Sequence, residues 1–236
     1  MEPESLLAFE GAEHVVLIHA HPDDADIAAG GTVAKLTRQG KKVTYVAVAD
    51  GRHGTFDTTI PAWRFIKIRQ EEQNRAAEIL GVDKVIFLDY EDQTLDSTIE
   101  LRRKLIDVMR ETKPDIVMTH DPWKPYEGNR DHRHTGMMAV EAAGFAHDPF
   151  ENPEREVGPH FVQRMCLFRP FAPDTWIDIT DTIDLKLKAI CQHVSQHGDA
   201  IAEIVKEKNA LDGKLINRSY AEAFKILKRG FPYVWE

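Results

Sequence analysis

An α/β fold is predicted, with a Rossmann-like open, mainly parallel sheet, helices on both faces and a decorated C-terminal third. Three observations predict it. Short apolar bursts rich in β-branched residues alternate with helix-length amphipathic stretches, two of those stretches end near a glycine, and the alternation loosens after Phe161. A burst that is apolar on both of its faces suits a parallel strand whose sheet is covered by helices on each side.

The bursts fall at 15–20 (VVLIHA), 43–49 (VTYVAVA), 85–88 (VIFL) and 116–119 (IVMT). Between them, a helix over about 26–38 stops at Gly40 and another over 62–80 stops at Gly81, where glycine supplies a left-handed cap. A third covers about 97–110, with Pro114 soon after it. Strands and helices in this order require right-handed crossovers and an open parallel sheet. Further on, RMCLFRP and TWIDIT are expected to be strands, and 182–196 and 219–228 helices. Pro149, Pro153 and Pro159, with acidic residues between them, mark a loop rather than a linker, so residues 1–236 are expected to form one domain.

Composition removes several classes of function. The 30 basic and 39 acidic residues leave a net charge of −9, a field that repels the phosphates of nucleic acid. No apolar run is long enough to span a bilayer, and the acidic Met-Glu-Pro-Glu-Ser start lacks the charge pattern of a secretory signal. Cys166 and Cys191 show no CxxC spacing and fall in different elements, which excludes a disulfide framework and favours the cytoplasm.

In open parallel sheets ligands bind beyond the carboxyl ends of the strands. There the chain places His21-Pro22-Asp23-Asp24, then Asp50 to Gly54, then Asp89 to Asp92, then His120-Asp121 leading to Asn129-Arg130-Asp131-His132. Imidazoles and carboxylates arriving at one rim from four strand ends point to a divalent metal. Pro22 stiffens the turn so that His21 and Asp24 can face inward together, with Asp23 free to address a water; His132 is the expected third ligand. Asp131 is expected to orient an imidazole. The competing structural reading of the Asp pair is a helix N-cap. His19, inside an apolar run, is expected in the core. Arg69 and Glu72 fall on the apolar side of their helix, either as an ion pair at the rim of the core or with Glu72 holding Arg69 for substrate.

These residues resemble the PIG-L/LmbE-type deacetylases, which remove acetyl groups from N-acetylglucosamine-containing molecules with a metal, usually zinc. The likeness rests on His21-Pro22-Asp23-Asp24, Arg69-x-x-Glu72 with Leu80-Gly81, the 92–95 segment, Asp131-His132, and KAICQHVSQ at 188–196 with its His-x-Ser-Gln ending. It implies His21, Asp24 and His132 as metal ligands, Asp23 as general base, Asp131 tuning the base or a ligand, and Arg69 and Asp92 contacting sugar hydroxyls. Tyr126 resembles a family tyrosine near the oxyanion, across one inserted residue. One departure stands out: the family's His-x-Asp-His motif here reads Asn129-Arg130-Asp131-His132. Asparagine donates a hydrogen bond to an oxyanion but cannot deliver a proton as imidazolium does. His120, His134 or a water is left to serve as acid.

The expected function is therefore a metal-dependent hydrolase, zinc first and iron or cobalt as alternatives, acting on a soluble N-acetylglucosamine-type substrate. A homo-oligomer is expected from the family tendency, with no nucleic-acid or membrane partner. The alternatives are another metal hydrolase such as a phosphoesterase, a metal-binding homologue with weakened catalysis, and a nucleotide-binding module, the last disfavoured because HPDDAD replaces the glycine-rich turn.

Overall fold

In the computed structural model, residues 6–229 and Trp235 are described. Among these residues seven strands form one sheet: β1 (His14–His19), β2 (Lys42–Ala49), β3 (Lys84–Tyr90), β4 (Ile116–His120), β5 (Arg164–Phe168), β6 (Thr175–Asp178) and β7 (Ala221–Lys228). Their order is β3-β2-β1-β4-β5-β7-β6. Every pairing from β3 across to β5 is parallel, whereas β7 runs antiparallel to both β5 and β6. Strand order reverses between β1 and β4, which is where the predicted ligands leave the sheet.

Among the described residues six α-helices pack on the sheet: α1 (Asp24–Arg38), α2 (Ala62–Leu80), α3 (Ile99–Thr112), α4 (Arg130–Phe145), α5 (Ile183–Ile190) and α6 (Gly198–Lys214). Alternate side chains of the central strands enter opposite cores, as the pleat requires. Val15, Leu17 and Tyr45 join Val33 and Leu36 of α1 and Leu80 of α2 in one core. Val16, Ile18 and Val46 join Leu105 and Met109 of α3 and Met138 and Ala142 of α4 in the other. Each fully buried aliphatic chain contributes about 1.5–3 kcal/mol, so the two-sided burial of β1 makes it the anchor of the fold. Gly81 ends α2 at φ 74, the left-handed cap its position suggested. Gly136 has another use: a Cβ there would lie 2.5 Å from the His120 carbonyl oxygen, so only glycine lets α4 sit against the end of β4.

The C-terminal third departs from expectation. The 182–196 helix stops at Ile190, and a 3-10 turn, Val194–Gln196, follows. A further helix, α6, occupies 198–214, where none was foreseen. The 219–228 segment is strand β7 instead of a helix, although AEAFKILK is composed of good helix formers. It pairs on both sides, Phe224 with Phe168 of β5 and with Thr175 of β6, and these two ladders outweigh local propensity. Both cysteines are free. Among the described residues no helix is long and apolar enough to cross a membrane.

Candidate active site

The turn from β1 into α1 builds the centre of the site. Asp24 Oδ2 accepts the His21 amide at 2.8 Å and closes the turn, while Asp23 is forced to φ 106, a region that side-chain-bearing residues avoid. Such backbone costs of order 1–3 kcal/mol and persists only where neighbours over-determine it. Here Gln73 of α2 accepts the Asp23 amide at 2.8 Å through Oε1, and Asp23's own carbonyl accepts from Ile27 at 3.0 Å. Asp23 occupies the N-cap position but makes no side-chain cap, which leaves its carboxylate for other work.

His21, Asp24 and His132 converge as predicted, each offering a donor atom within 4.8 Å of the others. His21 Nδ1 lies 3.4 Å from Asp24 Oδ2, and His132 Nε2 lies 3.3 Å from Asp24 Oδ1. The other nitrogen of His21 is committed: Nε2 lies 3.1 Å from Asp131 Oδ2 and 3.1 Å from Asp92 Oδ1. With Nε2 committed to these carboxylates, Nδ1 is the atom turned to Asp24, the orientation a metal-ligating histidine needs. Asp131 is itself held by the amides of Gln93 at 2.7 Å and Leu95 at 3.3 Å. The imidazole it orients belongs to His21 and not to its chain neighbour His132. Two imidazole nitrogens and one carboxylate, with an orienting shell already in place, fit a divalent first-row metal. Burial opposes charge on Asp24, yet His132 and His120 hold its carboxyl well below the ordinary carboxylate range. Against the same burial, Asp131, Asp24 and Asp92 hold His21 well above its ordinary value.

His120 lies against the ligand group, its Nε2 3.4 Å from Asp24 Oδ2. Its ring stacks on His132 at 4.2 Å between centroids and meets Phe168 edge-on. Its Nε2 accepts the Ala20 amide at 3.2 Å, and burial pushes its pKa down to about 4. A neutral ring with that nitrogen engaged is a poor replacement for the missing acid. His134, the other candidate, bonds Ser97 Oγ at 2.8 Å, outside the cavity.

The cavity beside these groups measures about 280 Å3; His21, Asp23, Asp24, Arg69, Asp92 and Asn129 line it, along with His132 and Gln196. Arg69 donates to Asp23 Oδ2 at 3.0 Å and to the carbonyls of Pro22 and Gly51. The contact between Arg69 and Glu72 that the sequence suggested is not made: Glu72 instead accepts the Ser195 amide at 2.8 Å and the Ser195 hydroxyl at 2.6 Å. Arg69 turns toward the HPDD turn because its acceptors cluster there. Burial, eased by Arg69, pushes the Asp23 carboxyl up to about 6. Asp92 is buried, accepting from the His53 amide at 3.0 Å as well as facing His21, so its first duty is to that imidazole. Asn129 caps α4, its Oδ1 accepting from Asp131 at 2.9 Å and His132 at 3.3 Å, which leaves Nδ2 as its remaining polar atom at the cavity wall. Tyr126 does not join the site: it is fully exposed on the loop before α4, at φ 62, and lies outside the cavity lining. Its loop carries it outward, as the inserted residue there allows. His19 is the core histidine expected, donating from Nδ1 to the His21 carbonyl at 2.8 Å. Gln73 gave no signal in the sequence because it belongs to no motif, and His53, though it lies in the strand-end stretch at 50–54, showed nothing there of its bonds to Asp92.

Comparison with known proteins gives the family. The model of the GlcNAc-PI de-N-acetylase family, PIG-L, matches residues 16–143. The diacetylchitobiose deacetylase of Thermococcus kodakarensis is 36% identical over 233 residues, covering 96% of this chain and 87% of that protein. The N,N'-diacetylchitobiose deacetylase of Pyrococcus horikoshii, solved with an inhibitor, superposes with a TM-score of 0.89 at 36% identity, over 94% of this chain and 86% of that one. A 4-oxalmesaconate hydratase of Pseudomonas putida is 31% identical over 77% of this chain and 74% of its own length. The phosphoesterase and weakened-homologue expectations find no support in these likenesses. With its HPDD turn, its Asp131-His132 pair and a match spanning both, the chain belongs to the PIG-L family of de-N-acetylases.

Proposed function

We propose that the protein hydrolyses the acetamide of a small N-acetylglucosamine-type substrate, with His21, Asp24 and His132 holding one divalent metal and Asp23 acting as general base. The observation that carries this reading is the convergence of the three donor atoms within 4.8 Å beside a carboxylate on the same turn that makes no cap. Zinc suits two imidazoles and one carboxylate, and iron or cobalt would fit the same donors. A bound divalent cation supplies Lewis acidity to water and to the amide carbonyl.

The chain's own groups do the rest. Asp131 and Asp92 hold the His21 ring in the ligating orientation. Asp23, aimed by Arg69, takes the proton of the attacking water and returns it to the amide nitrogen as the C–N bond breaks and the amine departs; a carboxyl at about 6 is a stronger base than an ordinary aspartate and remains largely ionised at neutral pH. The Asn129 amide is the donor for the oxyanion, in place of the family's imidazole. Arg69 and Asp92 form the wall where sugar hydroxyls would bind. Relatives named as acting on diacetylchitobiose support a soluble amino-sugar substrate. Free cysteines support a reducing compartment, the cytoplasm, and exposed Phe56, Trp63 and Phe171 support self-association.

The test is a panel of N-acetyl sugars, N-acetylglucosamine and diacetylchitobiose among them, offered to zinc-loaded protein with release of acetate measured. Acetate from at least one, with one metal per chain, is expected. No acetate from any member by fully loaded protein would overturn the proposal.

A further inference from the structure

The His193-x-Ser195-Gln196 segment has no role in the chemistry above, yet it reaches three parts of the catalytic rim. His193 is buried, and its Nε2 lies 2.8 Å from Asp26 Oδ2 on α1. That same carboxylate oxygen accepts Gln73 Nε2 at 2.9 Å, while Asp26 Oδ1 accepts the Tyr45 hydroxyl at 3.1 Å. Gln73, fixed by Asp26 at its nitrogen, accepts the Asp23 amide with its oxygen. Two residues on, Ser195 gives both its amide and its hydroxyl to Glu72, next to Gln73 on α2. Gln196 Nε2 then donates to the Gly54 carbonyl at 2.9 Å, on the loop that lines the cavity with Arg69.

We infer that the 193–196 segment is a positioning clasp for the base: the buried chain His193–Asp26–Gln73 holds Asp23 at its positive φ and so aims the Asp23 carboxylate. The orientation of Gln73 is the essential link. An amide side chain can flip, and only with Asp26 accepting from its nitrogen does its oxygen face the Asp23 N–H. His193 donates to that carboxylate and keeps it in place; Asp26, His193 and Gln73 are all at most 1% exposed, so no water competes for these bonds. None of the three lines the cavity. Their effect on the reaction passes through Asp23, and the inference rests on Asp23 being the base.

The test compares His193→Leu, His193→Gln and Gln73→Leu in metal-loaded protein. The Leu variants should lose about 10- to 100-fold in kcat, the scale of a misplaced catalytic group, with KM within about threefold and one metal still bound. His193→Gln, which keeps a donor for Asp26, should recover most of that loss. The double Leu variant should be no worse than the poorer single, since both cut one chain. A kcat within twofold of the parent in metal-loaded His193→Leu overturns the inference, as does a parallel collapse of KM and metal content that Gln fails to rescue. Ser195→Ala, which removes one hydroxyl outside the buried chain, guards against a folding failure: it should fold and show a smaller kcat loss, and an unchanged kcat overturns the clasp's part at Ser195. A crystal structure of His193→Leu decides independently of activity. Asp23 relaxed to negative φ supports the clasp, and Asp23 unmoved near 106 overturns it. Should the parent release no acetate from any sugar, the proposed function falls, while the Asp23 backbone angle in that crystal still shows whether the clasp holds the turn.

Discussion

Asp23 carries the strain of the HPDD turn and, in the proposed reaction, its chemistry. Its carboxylate is outside the ligand group, so Asp23→Asn should bind one metal per chain as the parent does and lose roughly 10²–10⁴-fold in kcat. Metal analysis beside steady-state kinetics checks this; turnover retained at full metal loading would remove the base assignment. Asn129 allows a finer separation, because its oxygen caps α4 and only its nitrogen is available to substrate. Asn129→Asp preserves the cap acceptor and removes the donor. Its melting temperature should stay within a few degrees while kcat falls about 10²–10³-fold, and a variant as active as the parent would exclude the oxyanion role. Legibility in the sequence followed contiguity. His21, Asp23 and Asp24 share one turn, and Asp131-His132 opens one helix, so their joint purpose could be read from the string. The partner of Glu72 could not: it is Ser195, 123 positions away, brought close by the turn after α5. A pair at i and i+3 suggested an internal bond, and tertiary contacts redirected both members.

Strands β1 to β4 were legible because burial on both faces writes itself as unbroken apolar sequence. β7 was not. Its Glu222 is buried within the strand, where a hydrophobic residue would be expected, and it belongs there because its partners come from elsewhere. Oε1 accepts from Lys186 of α5 at 2.6 Å and from the Gly31 amide at 2.9 Å, and Oε2 accepts the Thr32 amide at 2.8 Å. Burial pushes the Lys186 ammonium below its ordinary value even with this partner beside it. Glu222→Ala leaves a buried ammonium unpaired, at a cost of about 3–5 kcal/mol, which for a chain this long should lower Tm by roughly 10 °C. Calorimetry checks it; a drop of under a few degrees would mean that the pair does not join α5, α1 and β7 as described. His14 makes a second, pH-dependent tie. Its Nδ1 donates to the Thr112 carbonyl at the end of α3 at 2.7 Å, and Nε2 accepts from the Thr44 hydroxyl of β2 at 3.0 Å, the second bond requiring a neutral ring. Burial first, then Lys42, lowers its pKa below 6.5, against the opposing Thr112 bond, Asp83 and Asp115. With the folded value depressed, its contribution is complete above about 6.5 and fades as pH falls from there through the folded value. His14→Gln should therefore show a shallower loss of Tm between pH 7 and pH 5 than the parent. Equal slopes would contradict it.

The molecule as a whole gathers charge where the sheet changes direction. β1, β4 and the loop after β3 bring Asp23, Asp24, Asp92 and Asp131 around His21 and His132 in a chain that already carries a net charge of −9. The two halves of that cluster lie on opposite sides of the switch point, so a cation held by His21, Asp24 and His132 ties the HPDD turn to the start of α4 and with it one core to the other. Such a ligand binds the folded chain and finds no preformed site in the unfolded one, and its stabilisation follows RT ln(1 + [metal]/Kd), about 2.7 kcal/mol at a hundredfold excess over Kd. Chelation should accordingly abolish turnover and lower Tm by several degrees, and titrating zinc back should raise both together with a one-site dependence. Asp24→Asn, deprived of the carboxylate shared by both imidazoles, should show nearly the same Tm with and without zinc. Because the ligating imidazoles must be unprotonated, the zinc-dependent rise should shrink between pH 7 and pH 5. Thermal melts across zinc concentration and pH measure all of this on one instrument. A parent protein whose Tm ignores chelator and zinc alike would show that the cluster is held by its ion pairs alone, and would remove the metal from the site.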